Sequence, residues 1–192
     1  MSATTLSPTA FNELAVDAGI ILSSYTPGND PDRTKILCAT TGGITINCKP
    51  NFSDWGEDVD NCPNGMMEFK NLDDFEVTVT TTAITIDNDF AQWLLGAADI
   101  SSGKVVPRRR LQLTDYKDLY FVCDKSDGGY VWAKISNALS TGGLSFKTTK
   151  NEKGNLDVEF MGHYSLEDPD EVPFEIGVID GTSGTTGTTG TT

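Results

Sequence analysis

The chain has 192 residues, 38% of them apolar, and a formal charge of -14 from 28 acidic and 14 basic side chains. That length supplies one full-sized core and falls short of two, and the acidic excess opposes tight binding to nucleic acid, because each phosphate meets net like charge. The start, "MSATTLSPTAFNE", lacks the basic beginning and apolar run of a secretory signal, and no stretch approaches a membrane span, so a soluble protein kept in a cytoplasm is expected.

Threonine, glycine and β-branched residues dominate, and most apolar runs alternate with period two, which predicts a mainly β chain with an antiparallel sandwich or barrel-like architecture. Residues 1–12 are polar and proline-interrupted and read as a flexible N-terminal arm, with one domain over 13–179. Within it, "ATTGGITINCKPNFSDWGEDVDN" (39–61) opens a strand on a glycine pair and runs into an acidic loop. The loop, 51–70, carries Phe52, Trp55, Met66, Met67 and Phe69 beside Asp54, Glu57, Asp58 and Asp60. A loop of that length inside a domain is usually functional or disordered, and its apolar side chains fit a partner surface better than solvent.

A strand is predicted in "FEVTVTTTAITI", followed by the one break in the pattern. In "DNDFAQWLLGAADI", Phe90, Trp93, Leu94, Ala97 and Ala98 recur at helical spacing and predict an amphipathic helix lying across the sandwich. Asp87 or Asp89 can cap it, Asp89 and Gln92 have capping-box spacing, and Gly96 weakens the last turn. The basic "PRRR" that follows, Arg108, Arg109 and Arg110, is read as answering carboxylates across a subunit contact rather than nucleic acid.

Strands are then predicted in "LYFVCD" and "YVWAKIS", and "STGGLSFKTT" repeats the glycine-led pattern, with Gly142 and Gly143 echoing Gly42 and Gly43. In "NLDVEFMGHYS", Leu156, Val158, Phe160 and Tyr164 share one face, and Asp157, Glu159, Met161 and His163 the other. In "EVPFEIGVI", Val172, Phe174, Ile176 and Val178 share a face opposed by Glu171 and Glu175. Residues 180–192, ending in "GTSGTTGTTGTT", read as a flexible tail.

Catalytic constellations are hard to build from these residues. The lone histidine, His163, falls in a strand pattern, where a structural role outweighs a catalytic one. Neither "TGG" is followed by G-K-[ST], so neither reads as a phosphate loop, and glycines opening a strand point instead to a bulge or a close backbone approach. "DWGEDVDN" supplies oxygen ligands, but Cys62 and Pro63 stand where an EF-hand needs an oxygen ligand and a glycine. Cys38, Cys48, Cys62 and Cys123 form no C-x-x-C pair and read as buried or idle thiols. No enzyme, cofactor or metal is expected.

In joint order and spacing, "ATTGGITINCKPNFSDWGEDVDNCP", "LLGAADI", "VVPR", "NALSTGG", "EFMGHYS" and "VPFEI" resemble the major tail tube proteins of long-tailed bacteriophages over roughly residues 11–179. The resemblance implies a β-sandwich flanked by one helix, hexameric rings whose inner strands join into a continuous barrel, and rings stacked into a virion tail tube through which DNA is ejected. It implies assembly in the host bacterial cytoplasm and a loop, 51–70, that reaches neighbouring subunits. Implied partners are further copies of the chain and other tail proteins such as the tape measure, tail terminator and distal tail proteins. Double-stranded DNA would pass without adhering, and no membrane is involved. Asp157, Glu159 and Glu175, opposite apolar faces, are candidates for the lumen, although ordinary solvent-facing carboxylates have the same pattern. The alternatives are a tail-completion or connector ring protein, a carbohydrate-binding sandwich with Trp55, Trp93 and Trp132 as stacking platforms, and a calcium-dependent hydrolase for which no base can be named.

Overall fold

The computed structural model describes residues 14–181, so the expected N-terminal arm and all of the tail beyond Gly181 lie outside the described residues. Ten strands and one α-helix follow in the order β1 (Ala15–Leu22), β2 (Thr40–Asp54), β3 (Lys70–Ala83), α1 (Asn88–Leu95), β4 (Ala98–Ser101), β5 (Lys104–Pro107), β6 (Lys117–Lys125), β7 (Tyr130–Ser140), β8 (Ser145–Lys147), β9 (Asn155–Met161) and β10 (Phe174–Ile179). All named pairings are antiparallel.

Eight strands form one sheet that folds over at β7 into two layers. The first part of β7 pairs with β6 and β10, and β1 pairs with the far side of β6. Asn137 then takes a left-handed φ of 50°, the chain turns, and Leu139 and Ser140 pair with β9 in the second layer. That layer runs β8-β9-β3-β2.

Period-two alternation makes the core. In β9, Leu156, Val158 and Phe160 are buried while Asp157 and Glu159 are exposed, as the sequence pattern requires. These residues, with Val77 and Val79 of β3, meet Ile21, Leu119 and Ile135 of the first layer. Helix α1 closes one side with Phe90 and Leu94, and Trp93 sets its ring edge-on to Phe160 at 6.0 Å between centroids. Asp87 is the cap, accepting from the Phe90 N–H at 2.7 Å, so the Asp89 and Gln92 alternative is not the one used. Gly96 follows the last turn and ends the helix at φ 68° instead of weakening that turn from within, and Ala98 belongs to β4. A second cluster, Leu22, Tyr25 and Val122 with Trp132 against it, lies on the other side of the first layer.

Three sequence expectations need correction. The strand carrying "NLDVEFMGHYS" stops at Met161, so His163 and Tyr164 are beyond it. There the His163 ring packs against Tyr116 at 5.3 Å with Nδ1 3.2 Å from the Asn137 carbonyl, and the Tyr164 hydroxyl accepts from the Phe75 N–H. In β10 the alternation is real but its apolar face is covered only at Phe174, which packs against the core, whereas Ile176 and Val178 are 65% and 60% exposed on an edge strand. The span 51–70 is not one loop, because Asn51–Asp54 finish β2 and Lys70 begins β3.

Asp180 and Gly181, placed by sequence in the tail, are held. The Lys125 ammonium is buried and bridges Asp127 at 3.0 Å and Asp180. Hydrogen bonding to Asp180, then to Asp127, raises the Lys125 pKa. The bond from Lys125, then the Gly129 N–H, lowers that of Asp127.

Candidate functional site

The two glycine pairs mark the rims of the second layer. Gly42 and Gly43 are the extra residues where the β2–β3 register shifts between Thr41 and Ile44, and both have left-handed φ, 78° and 89°. They form a bulge that an L side chain would strain. Gly142 and Gly143 lie in the turn between β7 and β8. The similar sequences thus serve different local geometry, but β2 and β8 end up on opposite edges of the same four strands.

Between those edges is a polar face. Thr78, Thr80 and Thr82 of β3 pair with Met161, Glu159 and Asp157 of β9 and with Asn47, Thr45 and Thr41 of β2. Residues directly opposite share a face, so hydroxyls and carboxylates line an open groove of about 510 Å³ between the two glycine pairs. The Thr141 hydroxyl donates to Glu159 at 3.1 Å. Glu76 and Lys49 pair across the continuation of this face, and Ser145 and Lys147 extend it onto β8. The structure brings Asp157 and Glu159 together. Glu175 is elsewhere, on β10 opposite Lys134 in the first layer.

Beyond Phe75, β3 and β2 pair only with each other among the described strands. Asp74 to Lys70 and their partners therefore carry the 55–69 turn outward as a two-stranded arm, about 17 Å long at ~3.4 Å per residue. The core-facing row of β2, Ile44, Ile46, Cys48 and Pro50, continues along the same face to Phe52, opposite Leu72. Near the body that row packs on the core. Along the arm that face stays exposed, Phe52 at 55% with the Lys70 ammonium 5.8 Å from its ring centre and Leu72 at 46%, and the tip residues Trp55 and Met67 are 68% and 83% exposed, with Val59, Met66 and Phe69 also exposed.

The tip is shaped by its own carboxylate. Asp54 accepts from the Gly56 N–H at 3.0 Å and the Gly65 N–H at 3.1 Å. Gly56 sits under Phe69, whose ring is 3.1 Å from where a Cβ would stand. At the arm's base Asn51 donates to Asp74, and Ser53 and Asn71 to Asp73. Glu57, Asp58 and Asp60 remain exposed, with no ion pair among the described residues.

Strands β4 and β5 form a separate two-stranded ribbon after α1. Arg108, which follows it, is engaged within the chain, bridging Asp99 at 2.9 Å and Asp115 at 2.5 Å. Arg109 and Arg110 are exposed and make no ion pair among the described residues. Sequence reasoning could not separate the three, because only the fold brings Asp99 and Asp115 to one of them.

Other candidate chemistry is dispersed. No group of three or more histidine, cysteine or acidic side chains is arranged to hold a metal among the described residues. The four cysteines are free, and burial, aided by nearby Asp87, pushes the Cys38 thiol up to about 12. The three tryptophans share no face: Trp55 is on the arm, Trp93 against Phe160, and Trp132 beneath β10, where a Cβ on Gly177 would lie 2.5 Å from the indole.

No protein-family model matches the chain, and no curated protein matches it. Solved structures overlap with it partially. The cap that terminates the tube of an anti-feeding prophage aligns at 16% identity over 91% of this chain and all of that one, with a TM-score of 0.48. A chain of the extended sheath–tube complex of an extracellular contractile injection system aligns at 14% identity over 93% and 99%, TM-score 0.47. A chain of the native gene transfer agent virion aligns at 10% over 77% and 92%, TM-score 0.41. Overlaps of this size assign no role to the present chain.

Proposed function

We propose that this chain is a self-assembling structural subunit of a phage-type tail tube, forming rings that stack into a conduit for DNA. The observation that carries the reading is the projecting arm, whose apolar row continues out of the core and stays exposed among the described residues. An exposed apolar face of that kind is an aggregation hazard unless a partner takes it up, and a repeating assembly supplies the partner.

The second layer supports ring closure. With the order β8-β9-β3-β2 and every pair antiparallel, β2 and β8 run in opposite directions, and each hydrogen-bonds on one side only among the described residues. Setting β2 of one copy beside β8 of the next keeps the alternation and leaves the threonine face on the same side in every copy. A lateral contact whose rotation closes makes a ring, and an axial contact that does not close makes a stack. Six copies per ring, the number implied by the sequence resemblance, would carry on the order of 84 formal negative charges, six times fourteen.

In this arrangement the threonine face lines the bore, with Asp157 and Glu159 on it and Glu175 off it. Its carboxylates, Glu76, Asp157 and Glu159, outnumber Lys49 and Lys147. DNA phosphates meet hydroxyls and like charge, so the duplex slides without sticking. Screening acts over about 8 Å at physiological salt, so these lining residues matter more than charges on the outer layer. The tape measure, terminator and distal tail proteins are the further partners of the proposal, and the virion tail its location.

Negative-stain electron microscopy of the concentrated full chain tests the reading. Rings and tubes of uniform diameter are expected. Isolated rings that never stack would instead favour a tail-completion ring protein, and a chain monomeric at all concentrations would overturn both.

A further inference from the structure

We infer that the surface receiving the arm is the arginine-bearing ribbon, β4–β5 with residues 108–113, of a second copy of this chain. The inference rests on the self-assembly proposed above and names the mate of its most exposed contact.

The two surfaces have complementary chemistry. On the arm, Phe52 and Leu72 form an exposed apolar pair and Trp55 and Met67 are exposed at the tip, beside Glu57, Asp58 and Asp60, which make no ion pair among the described residues. On the ribbon, Val106 is 54% exposed on the face it shares with Asp99, and Leu111 and Leu113 are 46% and 89% exposed beside Arg109 and Arg110, which make no ion pair among the described residues. Both acids near the ribbon, Asp99 and Asp115, are held by Arg108. The ribbon therefore presents a net cationic rim on a chain whose overall charge is -14. An apolar centre bounded by charge is the anatomy of a stable interface, and arginine both stacks on tryptophan and forks onto carboxylates.

Within one chain the two surfaces are attached apart. The arm grows from the N-terminal end of β3, while the ribbon comes after the C-terminal end of that strand and the helix that follows. No hydrogen bond or ion pair joins them among the described residues. Because the surfaces differ, their contact is heterologous and passes from copy to copy without using itself up, as an open stack requires. The turn between β8 and β9 also bears cations, Lys150 and Lys153, but with fewer exposed apolar neighbours nearby, Leu144 and Phe146.

Charge swapping in the full chain tests this, with Arg108 and Asp54 untouched because they shape their own loops. One variant carries Arg109→Glu and Arg110→Glu, a second Glu57→Arg, Asp58→Arg and Asp60→Arg, and a third all five. Assembly is followed by light scattering and electron microscopy, and folding by thermal melting. Each reversal alone is expected to slow assembly by about tenfold or more at low salt with the melting temperature unchanged, and the combined variant to recover most of the rate. Should a reversal lower the melting temperature, Arg109→Gln with Arg110→Gln is read the same way. Normal assembly of the arginine variants, with the arm variant still blocked, would overturn the ribbon as receiver and leave the tube intact. Blockage by Lys150→Glu and Lys153→Glu in that case would move the contact to the β8–β9 turn. A wild-type chain that never assembles would remove the tube proposal and this one together.

Discussion

Replacing Trp55 by alanine separates folding from assembly most cleanly. The side chain is 68% exposed at the tip of the arm, and the backbone N–H donates to the Phe69 carbonyl. Removing it therefore leaves the folded chain within about 0.5 kcal/mol of wild type, as for surface positions generally. For a tryptophan of about 250 Å², roughly 170 Å² still faces solvent. If an adjoining copy covers that area, the gain is at most about 4 kcal/mol at ~25 cal/mol per Å². Ordering costs and imperfect fit reduce this to about 2 kcal/mol. At 1.4 kcal/mol per tenfold, Trp55→Ala should then raise the concentration needed for assembly by roughly 30-fold. Sedimentation of a dilution series gives that concentration, and calorimetry gives the melting temperature. An assembly threshold within twofold of wild type at unchanged melting temperature would refute the arm as a contact.

Phe160→Ala empties the centre of the core beneath Trp93, where Phe160 is 1% exposed, and should cost about 3–5 kcal/mol in urea unfolding. Asp157→Lys with Glu159→Lys changes exposed groups on the threonine face. It should leave folding and tubes intact but make the tubes bind double-stranded DNA at low salt, with affinity falling steeply as salt rises. The Lys125 clamp should show its sign at both ends of the pH scale. Its raised pKa gives stability fully present below the ordinary lysine value, about 10.4, and lost as pH rises through the folded value. The lowered Asp127 gives stability present above the ordinary aspartate value, about 3.9, and lost as pH falls through the folded value. Lys125→Met should remove both contributions, seen as a flatter melting-temperature profile against pH.

Alternation made the sandwich legible wherever both layers cover a strand, as at Leu156, Val158 and Phe160, and helical spacing with an aspartate cap located α1. The same alternation misled at β10, because period two reports that a face is apolar, not that anything lies over it, and Ile176 and Val178, on the face that carries Ala133 and Ile135, stay exposed at the edge of the sheet. The arm was hidden for a related reason. Asp73 is an extra residue where the register shifts, and Asn, Ser and Asp occupy the polar face of the hairpin, so "NFSD" reads as loop and the strand reads as starting only at Phe75, although the chain pairs through 51–54 and 70–74. The acidic and apolar residues singled out there do lie on one projecting element, whereas Arg108 is tied into its own chain and Arg109 and Arg110 make no ion pair among the described residues. That division depends on contacts formed only after folding. Glu76, absent from the sequence candidates, falls on the continuation of the threonine face through its pairing with Lys49.

The central claim is that copies of this chain complete one another's second layer and turn its threonine face inward. A helical reconstruction of tubes grown from the full chain measures this directly. It should place β2 of one copy beside β8 of the next, with Asp157 and Glu159 at the smallest radius and β10 outside. A tube whose inner wall is built from the β1-β6-β7-β10 layer, or whose β2 and β8 edges touch no neighbour, would contradict the account.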